Sequence, residues 1–258
     1  MRVKILLIVI AAFVSTSVGC VGPVSVAGSG TPTSFESDAS GFSRIDASHN
    51  FDVTVTKSSS YSVQVTCDDN MEQYLVVKKS GDTLVLGLEP GRSYTNTTLS
   101  ADVTMPECDG VELSGSSSAE LTGFTSTHPF DLDLSGSSNA TLVGIETGDA
   151  EVKLSGSSDV DGNLVARDIV LDLSGSSRVN LEGSGESLDA NCSGSSDITL
   201  ESFPVQTGDI NLSGASAAWV TVDGELRVDL SGASRVVYYG DANLTDVNLS
   251  GSSTVERG

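Results

Sequence analysis

Val111-Glu112-Leu113-Ser114-Gly115-Ser116-Ser117-Ser118-Ala119 returns as Leu132-Asp133-Leu134-Ser135-Gly136-Ser137-Ser138-Asn139-Ala140, and the phrase recurs as far as Leu249-Ser250-Gly251-Ser252-Ser253. There are eight copies, with glycines at Gly115, Gly136, Gly156, Gly175, Gly194, Gly214, Gly232 and Gly251. The intervals are 21, 20, 19, 19, 20, 18 and 19 residues. A period held near twenty is the signature of a solenoid, in which each repeat buries its apolar face against its neighbours. Two residues before each glycine stands Leu113, Leu134, Leu154, Leu173, Cys192, Leu212, Leu230 or Leu249. The positions four before and four after are also apolar throughout, from Val111 and Ala119 to Val247 and Val255, and polar residues lie between. That strict alternation is the period of a strand with one buried face and not of a helix.

Stacked at the strand spacing, eight coils predict a rod of roughly 38 Å with Leu on Leu and Val on Val along its axis. Ladders of small aliphatics explain how a chain with 5% aromatic residues fills a core. Cys192 takes a leucine position and reads as a buried, inert thiol. The glycine and the second serine after it share the parity of the core residues. The expectation is a corner without a Cβ clash, and a hydroxyl bonded to the neighbouring coil.

Residues 109–258 are thus a solenoid of eight repeats of about 19 residues. Residues 39–108 lack the phrase but alternate at Phe51-Val53-Val55, Tyr61-Val63-Val65 and Leu84-Leu86, with turn signals between. They predict an N-terminal β-region that leads into or caps the solenoid. Residues 21–38, rich in Gly, Ser, Thr and Pro, read as a flexible tether.

Residues 1–20 read as a secretory signal. Arg2 and Lys4 precede an apolar run over residues 5–14, too short for a membrane span, and small residues lead to Gly19-Cys20. Gly-Cys at that place predicts lipidation of Cys20, although Ser17 stands where such signals usually carry an aliphatic. The membrane is then met only through that anchor, and the protein is extracytoplasmic. The remaining cysteines are Cys67, Cys108 and Cys192, and Cys67 and Cys108 are candidates for a disulfide in an oxidising compartment. No CxxC spacing suggests a metal. From Cys20 onward 11 basic residues face 35 acidic ones, a formal charge of 11 − 35 = −24, which opposes nucleic acid and anionic lipid surfaces.

The stretch from Gly41 to the end resembles the family called putative auto-transporter adhesin, head GIN domain. The residues that carry the likeness are Phe42-Ser43-Arg44-Ile45, Phe51-Asp52-Val53, Met105-Pro106 and the first Leu113-Ser114-Gly115-Ser116. The resemblance implies an all-β, single-stranded right-handed parallel β-helix at the cell surface, and it brings no catalytic or cofactor-binding residues.

Three functions are open to such a chain: a non-catalytic surface module for adhesion or envelope interaction, a polysaccharide-acting β-helix enzyme, and a passive spacer. Hydrolysis needs converging carboxylates of opposite roles. The outward series Asp133-Lys153-Asp172 and Asp159-Arg178-Asp197 instead alternate in sign, as surface ion-pair stacks do. His49 and His128 have no evident partner and read as loop residues. Six sequons (Asn96, Asn139, Asn191, Asn211, Asn243 and Asn248) offer glycan acceptors. The candidate patch for a surface partner or glycan lies on coils six and seven. There Ala215, Ala217, Trp219, Ala233, Val237 and Tyr239 fall on outward parity, and Trp219 is the only tryptophan. After Val255 comes only Glu256-Arg257-Gly258, so the end coil is expected to fray as a monomer or to meet a second copy weakly, end to end.

Overall fold

The computed structural model describes residues 25–258. The signal segment and Cys20 lie outside the described residues. The described residues are all-β, with a single 3-10 turn at Glu72–Tyr74, and wind as a parallel β-solenoid. Eleven strands establish the start of the rod: β1 (Ser25–Ala27), β2 (Pro32–Ser37), β3 (Arg44–Ala47), β4 (Asp52–Lys57), β5 (Ser62–Asp68), β6 (Leu75–Ser80), β7 (Thr83–Leu88), β8 (Ser93–Thr95), β9 (Leu99–Met105), β10 (Gly110–Leu113) and β11 (Ser118–Thr122).

From β10 onward each turn lies directly on the one before it, in parallel register. Val111 pairs with Leu132, Leu132 with Val152, and Val152 with Leu171, continuing through Ala190, Ile210 and Val228 to Val247. The leucine positions form a second ladder from Leu113 to Leu249, with Cys192 between Leu173 and Leu212. Beyond the corner a third ladder runs from Ala119 through Ala140, Val160 and Val179 to Val255. Leu173 is 3% exposed and Cys192 is 4% exposed, as the stacking model requires. Burial holds the Cys192 thiol up at about 12, with the Asp172 and Asp197 charges acting in the same direction.

The serine-glycine phrase forms the corner between two strands of one turn. Its eight glycines have φ between 74° and 81°, the left-handed region that a Cβ disfavours. The first seven carbonyls each accept the backbone N–H of the corresponding phrase one turn on, as in Ser137 N to Gly115 O at 2.8 Å. A Cβ at Gly136, Gly156 or Gly175 would collide with the preceding glycine's carbonyl oxygen, so the close stacking of corners itself excludes a side chain. The second serine after the glycine is buried. Its hydroxyl donates to the carbonyl three residues earlier, Ser117 Oγ to Ser114 O at 3.0 Å and Ser177 Oγ to Ser174 O at 2.9 Å. The expected bond to the next coil is therefore replaced by one within the coil. Seven such serines close their own turns, and the backbone carries the links between turns.

The β-region preceding the phrase repeats supplies two more turns, stacked out of chain order. β3 and β4 pair in parallel with β10 and β11, aligning Ile45 with Val111 and Val53 with Ala119. On their other side lie β7 and β9, which put Leu84 on Ile45 and Ala101 on Val53. The first turn in space is thus residues 83–105, and residues 44–57 are inserted second. Three antiparallel strands then close the end: β6 on β7, β5 on β9, and β2 on β5.

Two expectations need correcting here. Residues 25–37 are not a tether, because β2 pairs with β5 from Pro32↔Asp68 to Ser37↔Val63 and β1 pairs with β8. The buried Asp68 carboxylate fixes the intervening segment, accepting from Gly30 N at 2.9 Å and from Thr98 N at 2.8 Å. Cys67 and Cys108 are both free and buried. Cys67 sits opposite Leu99 at one end of β9, and Cys108 follows Met105 at the other, so the length of this seven-residue strand, about 20 Å, separates them. A disulfide needs α-carbons within about 7 Å.

Candidate interaction surfaces

The outward residues three before each glycine form a continuous lateral series, Glu112, Asp133, Lys153, Asp172, Asn191, Asn211, Asp229 and Asn248. Its chemistry changes along the rod. Glu112 lies near Asp46 and Asp133, and burial followed by those charges raises its pKa. Lys153 bonds Glu151 on its own strand at 2.6 Å and makes no ion pair with Asp133 or Asp172, so the expected stack is absent at that step. A residue two along the same strand face is about 7 Å away, farther than the next turn at about 4.8 Å, but within reach of the long lysine stem. In the second series Arg178 does pair with Asp159, at 3.5 Å.

Carboxamides replace the charges at turns five, six and eight, while Asp172 and Asp229 stay acidic at turns four and seven. Asn191 Nδ2 donates to Asp172 Oδ1 at 3.1 Å, and Asn211 Nδ2 donates to Asn191 Oδ1 at 3.3 Å. Each amide is also held from its own strand, by Asp189 at 3.0 Å and Asp209 at 3.2 Å. The serines preceding the glycines (Ser174, Ser193, Ser213 and Ser231) run parallel to this series. Together the two series border a groove of 510 Å³ that extends over four turns. The alternating pattern identified these positions as outward. It held no signal for the concavity, which depends on how adjacent turns are offset. No group of three or more His, Cys, Asp or Glu among the described residues is placed to hold a metal ion.

The patch expected on coils six and seven is brought together but is narrower than its parity suggests. Ala217 pairs with Arg235, Trp219 with Val237, and Thr221 with Tyr239, so the six residues do share one side of two adjacent turns. Ala215 and Ala233 are exposed at the corner, and Ala217, Trp219 and Tyr239 are half-buried. Val237, expected on the surface, is only 6% exposed. It lies in register between Trp219 and Glu256, and lateral neighbours of that length enclose a valine even on the outer face. Gly258 approaches the Tyr239 ring, where a Cβ would collide with it. What remains open is the edge of Trp219 and the two corner alanines.

The histidines are not free loop residues. His128 Nδ1 lies 3.5 Å from Asp109 Oδ1. His49 occupies a corner, with its ring edge-on to Tyr94 at 5.8 Å. The end turn, expected to fray, forms a pair of strands, Asn243–Leu249 on Glu225–Leu230, with a register shift between Leu226 and Arg227, and Thr254–Arg257 on Arg235–Tyr238.

No curated protein matches the chain. Among solved structures, a putative adhesin from Parabacteroides distasonis superposes with a TM-score of 0.84 at 20% identity, covering 91% of this chain and 100% of its own. A putative adhesin from Parabacteroides merdae gives 0.78 at 19%, with 91% and 99% covered. A putative lipid binding protein from P. distasonis gives 0.76 at 20%, with 91% and 99% covered. At these identities the structures share a fold. The family model for the putative auto-transporter adhesin, head GIN domain matches residues 41–242, from the first apolar phrase of the β-region to the residue before the last turn, and this chain belongs to that family.

Proposed function

We propose that this is a non-catalytic, adhesin-like module, held at the cell surface by lipid on Cys20, which binds a neutral polysaccharide along the groove of turns four to seven. The observation that carries the reading is the repetition of one hydrogen-bonding pair, an Asp or Asn with a Ser, at every strand step of that groove. Equivalent polar groups at a constant interval suit a polymer whose own hydroxyls repeat. The amides are held in place by Asp189 and Asp209, so little rotamer freedom is lost on binding. A net charge of −22 disfavours a polyanionic partner. The Trp219 edge and the corner alanines offer a smaller stacking surface around the next corner. A second copy meeting the open last turn end to end is a further contact that this reading admits.

The test is binding of the mature protein to envelope polysaccharide fractions. Asn191→Ala/Asn211→Ala is expected to weaken binding about tenfold or more, two lost hydrogen bonds at about 1 kcal/mol each. Unchanged binding removes the groove. Absence of binding by the parent protein leaves the spacer role as the better account, and glycan cleavage would establish the enzyme. The anchor is tested separately: native mass of the mature protein should include acyl chains, and Cys20→Ala should release it into the medium.

A further inference from the structure

Among the described residues only two non-glycines have a left-handed backbone, His49 at φ 75° and Asn96 at φ 51°. Both line one cleft of 390 Å³ at the N-terminal end of the rod, remote from the groove. His49 is the corner residue of its turn. Its carbonyl accepts from Ser116 N at 2.6 Å, just as Gly115 O accepts from Ser137 N one turn on. All eight phrase repeats place glycine at this corner. Glycine would adopt the backbone freely, whereas a residue with a Cβ is strained there. Strain of this kind persists where the side chain has a use.

The imidazole opens a chain of rings. Tyr94 stands edge-on to His49 at 5.8 Å, Tyr74 lies 5.9 Å from Tyr94, and the Arg92 guanidinium carbon sits 4.8 Å from the Tyr74 centroid. Arg92 is the one arginine among the described residues without an ion pair. Arg44, Arg167, Arg178, Arg227, Arg235 and Arg257 each bond a carboxylate. In a chain with 35 acidic residues, this cation is left with an aromatic face instead. The wall behind it is rigid: Asn50 Nδ2 donates to Thr97 O at 3.0 Å, and Thr97 Oγ1 donates to Asn50 Oδ1 at 2.9 Å. Burial lowers the His49 pKa, so the ring is neutral and leaves the charge of the site to Arg92.

We propose that this cleft binds a single carboxylate-bearing sugar, the uronic acid residue at the end of a glycan chain. Arg92 would take the carboxylate through its planar fork, the Tyr94 and His49 rings would pack on the pyranose, and Asn96 and Ser116 would meet its hydroxyls. The volume lies within the usual range for small-ligand sites. The acidic rod repels a polyanion at long range, but one carboxylate beside Arg92 is within the screening length of about 8 Å.

The test is calorimetric titration of the mature chain with trigalacturonate, and with a neutral galactose trimer as control. Trigalacturonate is expected to bind at least tenfold more tightly. Arg92→Ala should weaken it about 10- to 100-fold, Arg92→Lys should fall between, and Asn191→Ala/Asn211→Ala should leave it unchanged, which separates this site from the groove. His49→Gly should weaken binding while raising the melting midpoint by about 2–4 °C. Absence of uronate binding, equal affinity for the neutral trimer, or full affinity in Arg92→Ala overturns the proposal. A lower melting midpoint in His49→Gly shows instead that the imidazole is there for packing, and overturns its assignment to the ligand.

Discussion

At the N-terminal end of the rod Leu84, Leu86, Ala101 and Val103 of the outermost parallel turn are all buried, because β5 and β6 cross it antiparallel and β2 covers β5. At the other end Leu244, Val247 and Leu249 occupy comparable inward positions and are 37%, 40% and 48% exposed. The two ends have the same kind of apolar strand, and among the described residues only the first has antiparallel strands laid on it. A parallel ladder offers the same unpaired edge after every turn, so adding turns never closes it. Closure requires a segment that breaks the repeat, and residues 25–80 hold it.

The comparison between stacked and unstacked positions is most sharply broken at glycine. Gly175 and Gly123 have nearly the same φ, 81° and 80°, but only Gly175 has a backbone carbonyl where its Cβ would go. Gly175→Ala is expected to cost about 3–5 kcal/mol, backbone strain plus overpacking, against about 1–2 kcal/mol for Gly123→Ala. Equal losses in urea titrations would show that the corners tolerate a side chain. Next in size is Leu173→Ala, which leaves a mid-rod cavity at a cost of about 3 kcal/mol, while Leu249→Ala, already half in water, should cost about 1 kcal/mol. Similar values would mean that the last turn is covered in solution, and sedimentation at low and high salt would then reveal a second copy, since screening favours contact between acidic rods.

Smaller still is Ser177→Ala, which removes one buried donor from Ser174 O and should cost about 1 kcal/mol. Arg178→Ala, at an exposed ion pair, should stay below about 0.5 kcal/mol. Chemical reactivity sharpens the same contrast: Cys108 and Cys192 are both pushed up to about 12 by burial, so neither should be alkylated at pH 8 until the protein is denatured. Labelling of the native protein at either thiol would mean that the surrounding turns open.

Stability should also respond to mild acid through His49. Burial lowers its folded pKa, so between that value and about 6.5 the unfolded chain binds the extra proton. Its contribution is therefore present above about pH 6.5 and declines as the pH falls through that window. Asp46 and Glu112 act with the opposite sign, because burial raises both, so protonation below neutrality favours the folded state. His49→Gly should remove the first slope and leave the second.

The alternation of Val111, Leu113 and Ala119 made the repeat legible because each core contact is to the same residue one period away. The inner ladders and the parity of Asp172 or Asn191 follow from that alone. β2 was illegible for the opposite reason: Phe35 is its only large apolar residue, and its strand form comes from backbone bonds to β5, some thirty residues on. Parity likewise placed Val237 outside without showing that Trp219 and Glu256 flank it. The His49 cleft joins a corner to a loop over forty residues away, and only the left-handed backbone at a corner where the phrase repeats carry glycine marks it.

The insertion of residues 44–57 between 83–105 and 110–122 sets the order in which the chain can assemble. Strands emerging N-terminus first cannot complete a pair of adjacent turns until about residue 105 is available, so the earliest stretch waits as an unfinished template. Phrase repeats can misalign by one whole period with little loss, because leucine meets leucine in either alignment. Residues 44–57 have no such twin. Once clasped on one side, they present a single starting edge to β10, and every later turn inherits its alignment from that first correct match.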